Sequence, residues 1–109
     1  MESNLDNIIG IFNKMQSDGF EIDAPLKWGF YFVDSDKKNL QSVFDELKNS
    51  GYFLEDIYLT EDKDWTLHAS KVDILTAEKL HKRNLAFNDL ACYCKVALYD
   101  GWDVEKIKD

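Results

Sequence analysis

The chain has 109 residues, of which 45% are hydrophobic and 14% aromatic. This length corresponds to one domain, and the apolar content excludes intrinsic disorder. The formal net charge of −8, from 21 acidic and 13 basic side chains, argues against unassisted binding to nucleic acid or to an anionic membrane, and it favours a basic protein as partner.

Three further features of the sequence bear on where the protein acts. No apolar run approaches the roughly 18 residues of a membrane span. The first residues include acidic side chains, unlike the basic start of a secretory signal. Cys92 and Cys94 would point to nearly opposite sides of a helix, so we expect neither a disulfide between them nor a shared metal. These features predict a cytoplasmic protein.

The first third of the chain predicts a helix followed by a strand. Apolar residues recur at three- and four-residue steps over residues 4–17, and Ser3 or Asn4 can serve as N-cap. Pro25 then breaks the chain. Residues 26–33 alternate between a strongly apolar face and a less apolar one, which predicts a strand in a half-open antiparallel sheet.

The middle of the chain predicts a second helix and a hairpin. The helix is expected over residues 36–50, with Asp34 and Ser35 as cap candidates and Gly51 after its end. A short polar turn separates the next two predicted strands, which favours their pairing as a hairpin. These strands span residues 52–59 and 65–72.

The last third predicts a long helix and a final strand. Thr76 is expected to cap a helix over residues 77–97. The residues from Tyr99 to Trp102 contain an Asp-Gly pair, which predicts a turn, and a strand is expected over residues 103–107. The predicted buried stripe of the helix is Ala77, Leu80, Phe87, Leu90, Ala91, Cys94 and Leu98.

This order of elements, α-βαββαβ, predicts an α+β fold. Its last six elements match the ferredoxin-like pattern, in which a four-stranded antiparallel sheet carries helices on one face. The first helix is additional. We therefore predict a single domain over residues 1–109, with an N-terminal helical part, 1–19, and a ferredoxin-like core, 26–107.

Motifs for catalysis or cofactor binding are not apparent in the sequence. His68 and His81 are the only histidines, and both are interpreted as surface residues. The spacings typical of metal ligands, nucleophilic serines and phosphate-binding loops do not occur. We therefore predict a protein that is not an enzyme, with no catalytic residues, no metal and no cofactor.

Acidic residues cluster in and around the predicted hairpin. Glu55, Asp56, Glu61, Asp62 and Asp64 lie there with a single cation among them. A solvated loop would explain the cluster. The functional interpretation is a docking edge for a basic partner, because such a patch raises the association rate and selects partners by charge.

Four stretches of the chain resemble the RraB family, the regulators of ribonuclease E activity type B. They are WGFYFVD, LKNSGYFLED, DWTLHASK and LYDGWDVE, and the resemblance covers nearly the whole chain. It implies a ferredoxin-like fold and a bacterial, non-enzymatic protein that binds a ribonuclease and modulates RNA degradation. None of these stretches is catalytic.

The resemblance leaves two versions of this function open. The chain ends soon after Trp102 without the acidic tails of the ribonuclease E regulator, which favours an immunity protein that neutralises a toxin nuclease, or a stand-alone member of undefined function. Trp102 is either a partner contact or an anchor for the last strand. In both versions we expect a basic nuclease or toxin as partner, no direct contact with nucleic acid or membrane, and a monomer or weak homodimer.

Other classes of function remain as alternatives, because a fold does not fix a function. One is a small-ligand-binding or enzymatic domain, which would need a concave pocket holding a perturbed carboxylate or histidine. The other is a structural module that associates with itself through an open sheet face or edge.

Overall fold

The computed structural model of the protein describes residues 1–107. It has three helices and four strands, so the predicted α+β class is confirmed. Residues 108 and 109, which the predicted domain includes, lie outside the described part. The elements are α1 (Leu5–Ser17), β1 (Leu26–Asp34), α2 (Lys37–Lys48), β2 (Phe53–Leu59), β3 (Trp65–Asp73), α3 (Ala77–Tyr93) and β4 (Leu98–Glu105).

The four strands form one antiparallel sheet in the order β2-β3-β1-β4. The predicted hairpin of β2 and β3 is present, and β1 lies between β3 and β4. The edges of the sheet are therefore β2 and β4. The predicted four-stranded antiparallel sheet is confirmed. The assignment to the ferredoxin-like class claims more than the presence of such a sheet, and it stays a prediction.

The core lies against the strongly apolar face of β1. Trp28, Phe30 and Phe32 are almost completely buried there. Phe12 of α1 stacks on Trp28 with ring centres 5.8 Å apart, and Phe87 of α3 meets Phe30 edge-on at 5.0 Å. Burying each such side chain contributes about 1.5–3 kcal/mol, so this aromatic cluster holds helices and sheet together.

Two buried polar groups also connect distant segments. Tyr99 of β4 donates a 2.6 Å hydrogen bond to the side-chain oxygen of Asn84 in α3, and both residues are fully buried. Asp34, at the end of β1, accepts hydrogen bonds from the side chain of Asn39 and the backbone N–H of Asp36 and Ala97, at 2.9 to 3.0 Å.

Burial by itself would raise the pKa of Asp34, but these hydrogen bonds to the charged form outweigh it and lower the pKa. The carboxylate therefore stays ionised at neutral pH. It ties the end of β1 to the start of α2 and to the segment before β4.

The helices begin where side chains cap them. Asn4 and Thr76 accept N–H bonds in α1 and α3, as predicted. The prediction for α2 was wrong, because Asp36 is the N-cap and Asp34 instead accepts the N–H of Asp36. None of the helices within residues 1–107 is long and apolar enough to cross a membrane.

The predicted end of the last helix was also wrong. α3 ends at Tyr93, and Lys95 has a left-handed backbone with φ of 60°, which interrupts the helix four residues earlier than expected. Leu98 consequently belongs to β4 rather than to the helix, and 40% of its surface is exposed.

The predicted turn before the last strand lies inside β4. The pairing of β4 with β1 shifts register between Tyr31 and Phe32, where Asp100 has no direct partner. Gly101 has φ of 117°, which this bulge requires and which other residues rarely adopt. The Asp-Gly pair therefore forms a bulge within a strand instead of a turn.

Candidate protein-binding surface

The loop between β2 and β3 is a defined turn. The N–H of Thr60 bonds to the carbonyl oxygen of Asp64 at 2.8 Å, and the N–H of Lys63 bonds to the carbonyl of Thr60 at 3.0 Å. Lys63 has φ of 65°, which completes a three-residue hairpin loop with a bulge. Glu61 and Asp62 are exposed in this turn, and Asp64 is half-buried.

The two acidic residues of β2 differ in their environment. Glu55 sits at a bulge, where Lys27 contacts it at 2.8 Å and the hydroxyl of Ser70 donates to it at 2.6 Å. The hydrogen bond from Lys27, which has the largest effect, and the one from Ser70 lower the pKa of Glu55. Asp56 is exposed and lies opposite His68 in the register of the sheet.

Four carboxylates therefore lie along β2 and in the turn that follows it, at one edge of the sheet. None of them makes an ion pair within residues 1–107, whereas Glu55 is already engaged by Lys27. We call these four residues the acidic hairpin surface: Asp56, Glu61, Asp62 and Asp64.

Trp102 lies away from the acidic hairpin surface. It belongs to β4, at the opposite edge of the sheet, with β1 and β3 between. Its ring is half-buried and packs against Trp28 with centres 5.8 Å apart. The arrangement brings the predicted acidic residues together and does not join Trp102 to them.

A second polar group lies on the face of β1 opposite to the core. The rings of Tyr31 and His68 stack at 4.3 Å, and the Tyr31 hydroxyl donates to Asp103 at 2.7 Å. Burial and this hydrogen bond raise the pKa of Tyr31, so the phenol stays protonated at neutral pH. His68 is half-buried by this stacking, which the interpretation as a plain surface residue did not anticipate.

Gly29 allows this group to assemble. A Cβ there would overlap the carboxylate of Asp103 and lie 2.7 Å from Nε2 of His68. The cleft that results has a volume of about 60 Å³, which admits about two water molecules rather than an organic substrate. Its lining is Lys27, Gly29, His68, Ser70, Asp103 and Glu105.

Sequence reasoning missed this second group because its members lie on three strands far apart in the chain. The alternation of β1 and the presence of a histidine in β3 were visible, but the strand register that joins them was not.

Within the described part of the chain, no three histidine, cysteine or acidic residues lie close enough together to hold a metal ion. Cys92 and Cys94 are both unpaired thiols, and burial raises the pKa of Cys94.

The edge strand β2 also exposes apolar surface. The exposed fractions are 69% for Phe53, 46% for Leu54 and 53% for Leu59. Apolar side chains of this size are uncommon on an unprotected edge, because such an edge invites pairing with another chain. The acidic hairpin surface and this apolar surface share one strand.

Comparisons with known proteins give one family. The model of the RraB family, described as regulator of ribonuclease activity B, matches residues 6–104, nearly the whole chain. A search of curated proteins with this chain found no match. A family of regulators is consistent with the predicted non-enzymatic role.

Proposed function

Because the chain belongs to the RraB family of regulators of ribonuclease activity, we propose that it binds a ribonuclease directly and reduces its activity. The structural feature that supports this proposal is the acidic hairpin surface. Three of its carboxylates are exposed and that of Asp64 is half-buried. All four lie within one turn and one strand, and none makes an ion pair with a cation among the described residues.

The proposed mechanism is electrostatic and steric occlusion. Ribonucleases hold RNA phosphates with lysine and arginine side chains, which are the groups that carboxylates attract. An edge that carries several carboxylates would accelerate encounter with such a surface and then cover it. The net charge of −8 adds to this attraction over longer distances.

Several finer features belong to this proposal. The partner is a basic enzyme of the ribonuclease E type, and contact takes place in the cytoplasm, where the two free thiols stay reduced. The immunity-protein version would use the same surface, but the family description favours the regulator. We further propose the ferredoxin-like class for the fold, since β3 lies between β1 and β2 as a split βαβ unit requires.

The experiment measures cleavage of a fluorescent RNA by purified ribonuclease E at increasing concentrations of this protein. A variant with Asp56, Glu61, Asp62 and Asp64 replaced by their amides should inhibit at least about tenfold more weakly, chiefly through slower association. The loss should be greatest at low salt, because the long-range attraction is screened at high salt.

A matched variant controls for net charge. It replaces four exposed acids elsewhere, Glu2, Asp23, Asp45 and Asp89, by their amides and so changes the charge equally. We expect it to inhibit almost as well as the original protein. Equal loss in both variants, or no inhibition by the original protein, would contradict the proposed role of the acidic hairpin surface.

A further inference from the structure

The backbone of β2 has a free side. Hydrogen-bonded and non-bonded pairs alternate along an antiparallel ladder. Thr60 bonds to Asp64 across the turn, so Tyr58 is the next residue that bonds to β3. The N–H and C=O groups of Ile57 and Leu59 consequently point away from β3, towards the solvent at the edge.

The side chains of β2 differ on its two sides. Ile57 and Leu59 lie opposite Leu67 and Trp65, on the side where the helices pack. Asp56 and Tyr58 lie on the other side. A strand placed next to β2 would therefore meet apolar side chains on one side and a carboxylate with a tyrosine on the other.

Charge argues against a second copy of this chain as the occupant. In the symmetric antiparallel register centred on Asp56, two Asp56 carboxylates would lie opposite each other, and in every register two chains with a net charge of −8 would meet. Like charges in directly opposed positions destabilise a strand pair. The same carboxylate would attract a strand that carries lysine or arginine.

We infer that β2 accepts an extended segment of its partner as a fifth strand, in which apolar and basic residues alternate. This inference rests on the proposed function, because it takes the segment to come from the ribonuclease. The apolar residues of the segment would contact Ile57 and Leu59, and their backbone would bond to the free groups of these two residues. The basic residues would lie beside Asp56 and the turn.

A synthetic heptapeptide of alternating lysine and valine with blocked ends tests the edge without the enzyme. In ¹⁵N-labelled protein, we expect this peptide to slow amide hydrogen exchange at Ile57 and Leu59 at least about tenfold at saturation. The amide of Tyr58 is the internal reference, because it is already bonded to β3.

Methylated peptides separate backbone pairing from charge attraction. When the valines of the peptide pair with Ile57 and Leu59, the valine N–H groups face β2. The N–H groups of the intervening lysines then face away from β2. N-methylation of the valines should therefore abolish binding, whereas N-methylation of the lysines should preserve most of it. Both peptides keep the same charge.

Two protein variants complete the test. Asp56→Lys should weaken binding of the peptide about tenfold or more, and Asp89→Lys, which makes the same charge change on α3, should have a much smaller effect. Concentration-dependent dimerisation of the protein with protection at Ile57 and Leu59 would overturn the inference in favour of self-pairing.

The remaining outcomes distinguish this inference from the proposed function. If the peptide fails to bind, or binds without protecting Ile57 and Leu59, or binds equally well with methylated valines, the fifth strand is wrong. Inhibition of ribonuclease E could still depend on the acidic hairpin surface in that case. Protection of both amides together with no inhibition of the enzyme would support the strand site and contradict the proposed function.

Discussion

Replacing Asp34 by asparagine tests how three segments of this fold are held together. The change keeps the shape of the side chain and removes its charge. In the protein, one carboxylate oxygen accepts the N–H of Ala97, and the other accepts the N–H of Asp36 and the amide of Asn39. Asparagine has only one acceptor oxygen, so at least one of these donors would face an NH₂ group.

The expected loss of stability follows from these bonds. A buried donor left without an acceptor costs about 1–3 kcal/mol, and each remaining bond weakens by about 1 kcal/mol when its acceptor becomes neutral. The lower cost of burying a neutral group offsets part of this. We expect the free energy of unfolding to fall by about 2–4 kcal/mol, a large part of the 5–15 kcal/mol that is typical of domains.

The assay is urea unfolding of both proteins at several pH values. The folded pKa of Asp34 is lowered, so its contribution is complete above the unfolded pKa of about 3.9 and is lost as the pH falls through the folded pKa. The difference between the two proteins should be full at pH 6–7 and shrink below about pH 4. Asp36→Asn is the control, because asparagine caps a helix as well as aspartate does.

Two results would refute this reasoning. A neutral effect of Asp34→Asn at pH 7 would show that the hydrogen bonds to the carboxylate contribute no net stability. A difference that stays constant down to pH 3 would show that ionisation of the carboxylate is not what stabilises the fold.

Three further substitutions have defined outcomes. Tyr99→Phe should lower the free energy of unfolding by about 1–3 kcal/mol in urea titrations, because it leaves the buried oxygen of Asn84 without its donor. Asp103→Asn should lower the pKa of Tyr31 in an ultraviolet titration without restoring the ordinary value, since burial is the larger cause of the shift; an unchanged titration would contradict this. Gly29→Ala should displace the Asp103 carboxylate and destabilise the protein by about 1–3 kcal/mol, and a stabilised variant would show that the overlap is relieved at no cost.

Local signals explain what the sequence predicted well. Asn4 and Thr76 are side chains that cap helices through their own neighbours in the chain, so α1 and α3 begin where expected. The β2–β3 hairpin is also local, and its acidic residues could be grouped from their positions in the sequence alone. The left-handed residue Lys95, which ends α3 early, is neither glycine nor asparagine and carries no such signal.

Long-range pairing explains what the sequence did not reveal. An Asp-Gly pair suits a turn or a bulge equally, and only the pairing of β4 with β1 makes it a bulge at Gly101. Tyr31 and Asp103 meet although 72 residues separate them. The free side of β2 likewise depends on the strand order, because a strand becomes an edge only through its place in the sheet.

The central position of β1 has a consequence for synthesis of the chain. β1 leaves the ribosome before either neighbour, β3 or β4, has been made. Until residues 65–105 follow, the nascent chain carries Trp28, Phe30 and Phe32 in an apolar, strand-forming segment that lacks both of its neighbouring strands, and such segments associate readily with other chains. The aromatic residues that stabilise the folded sheet therefore make the unfinished protein more prone to associate with other chains.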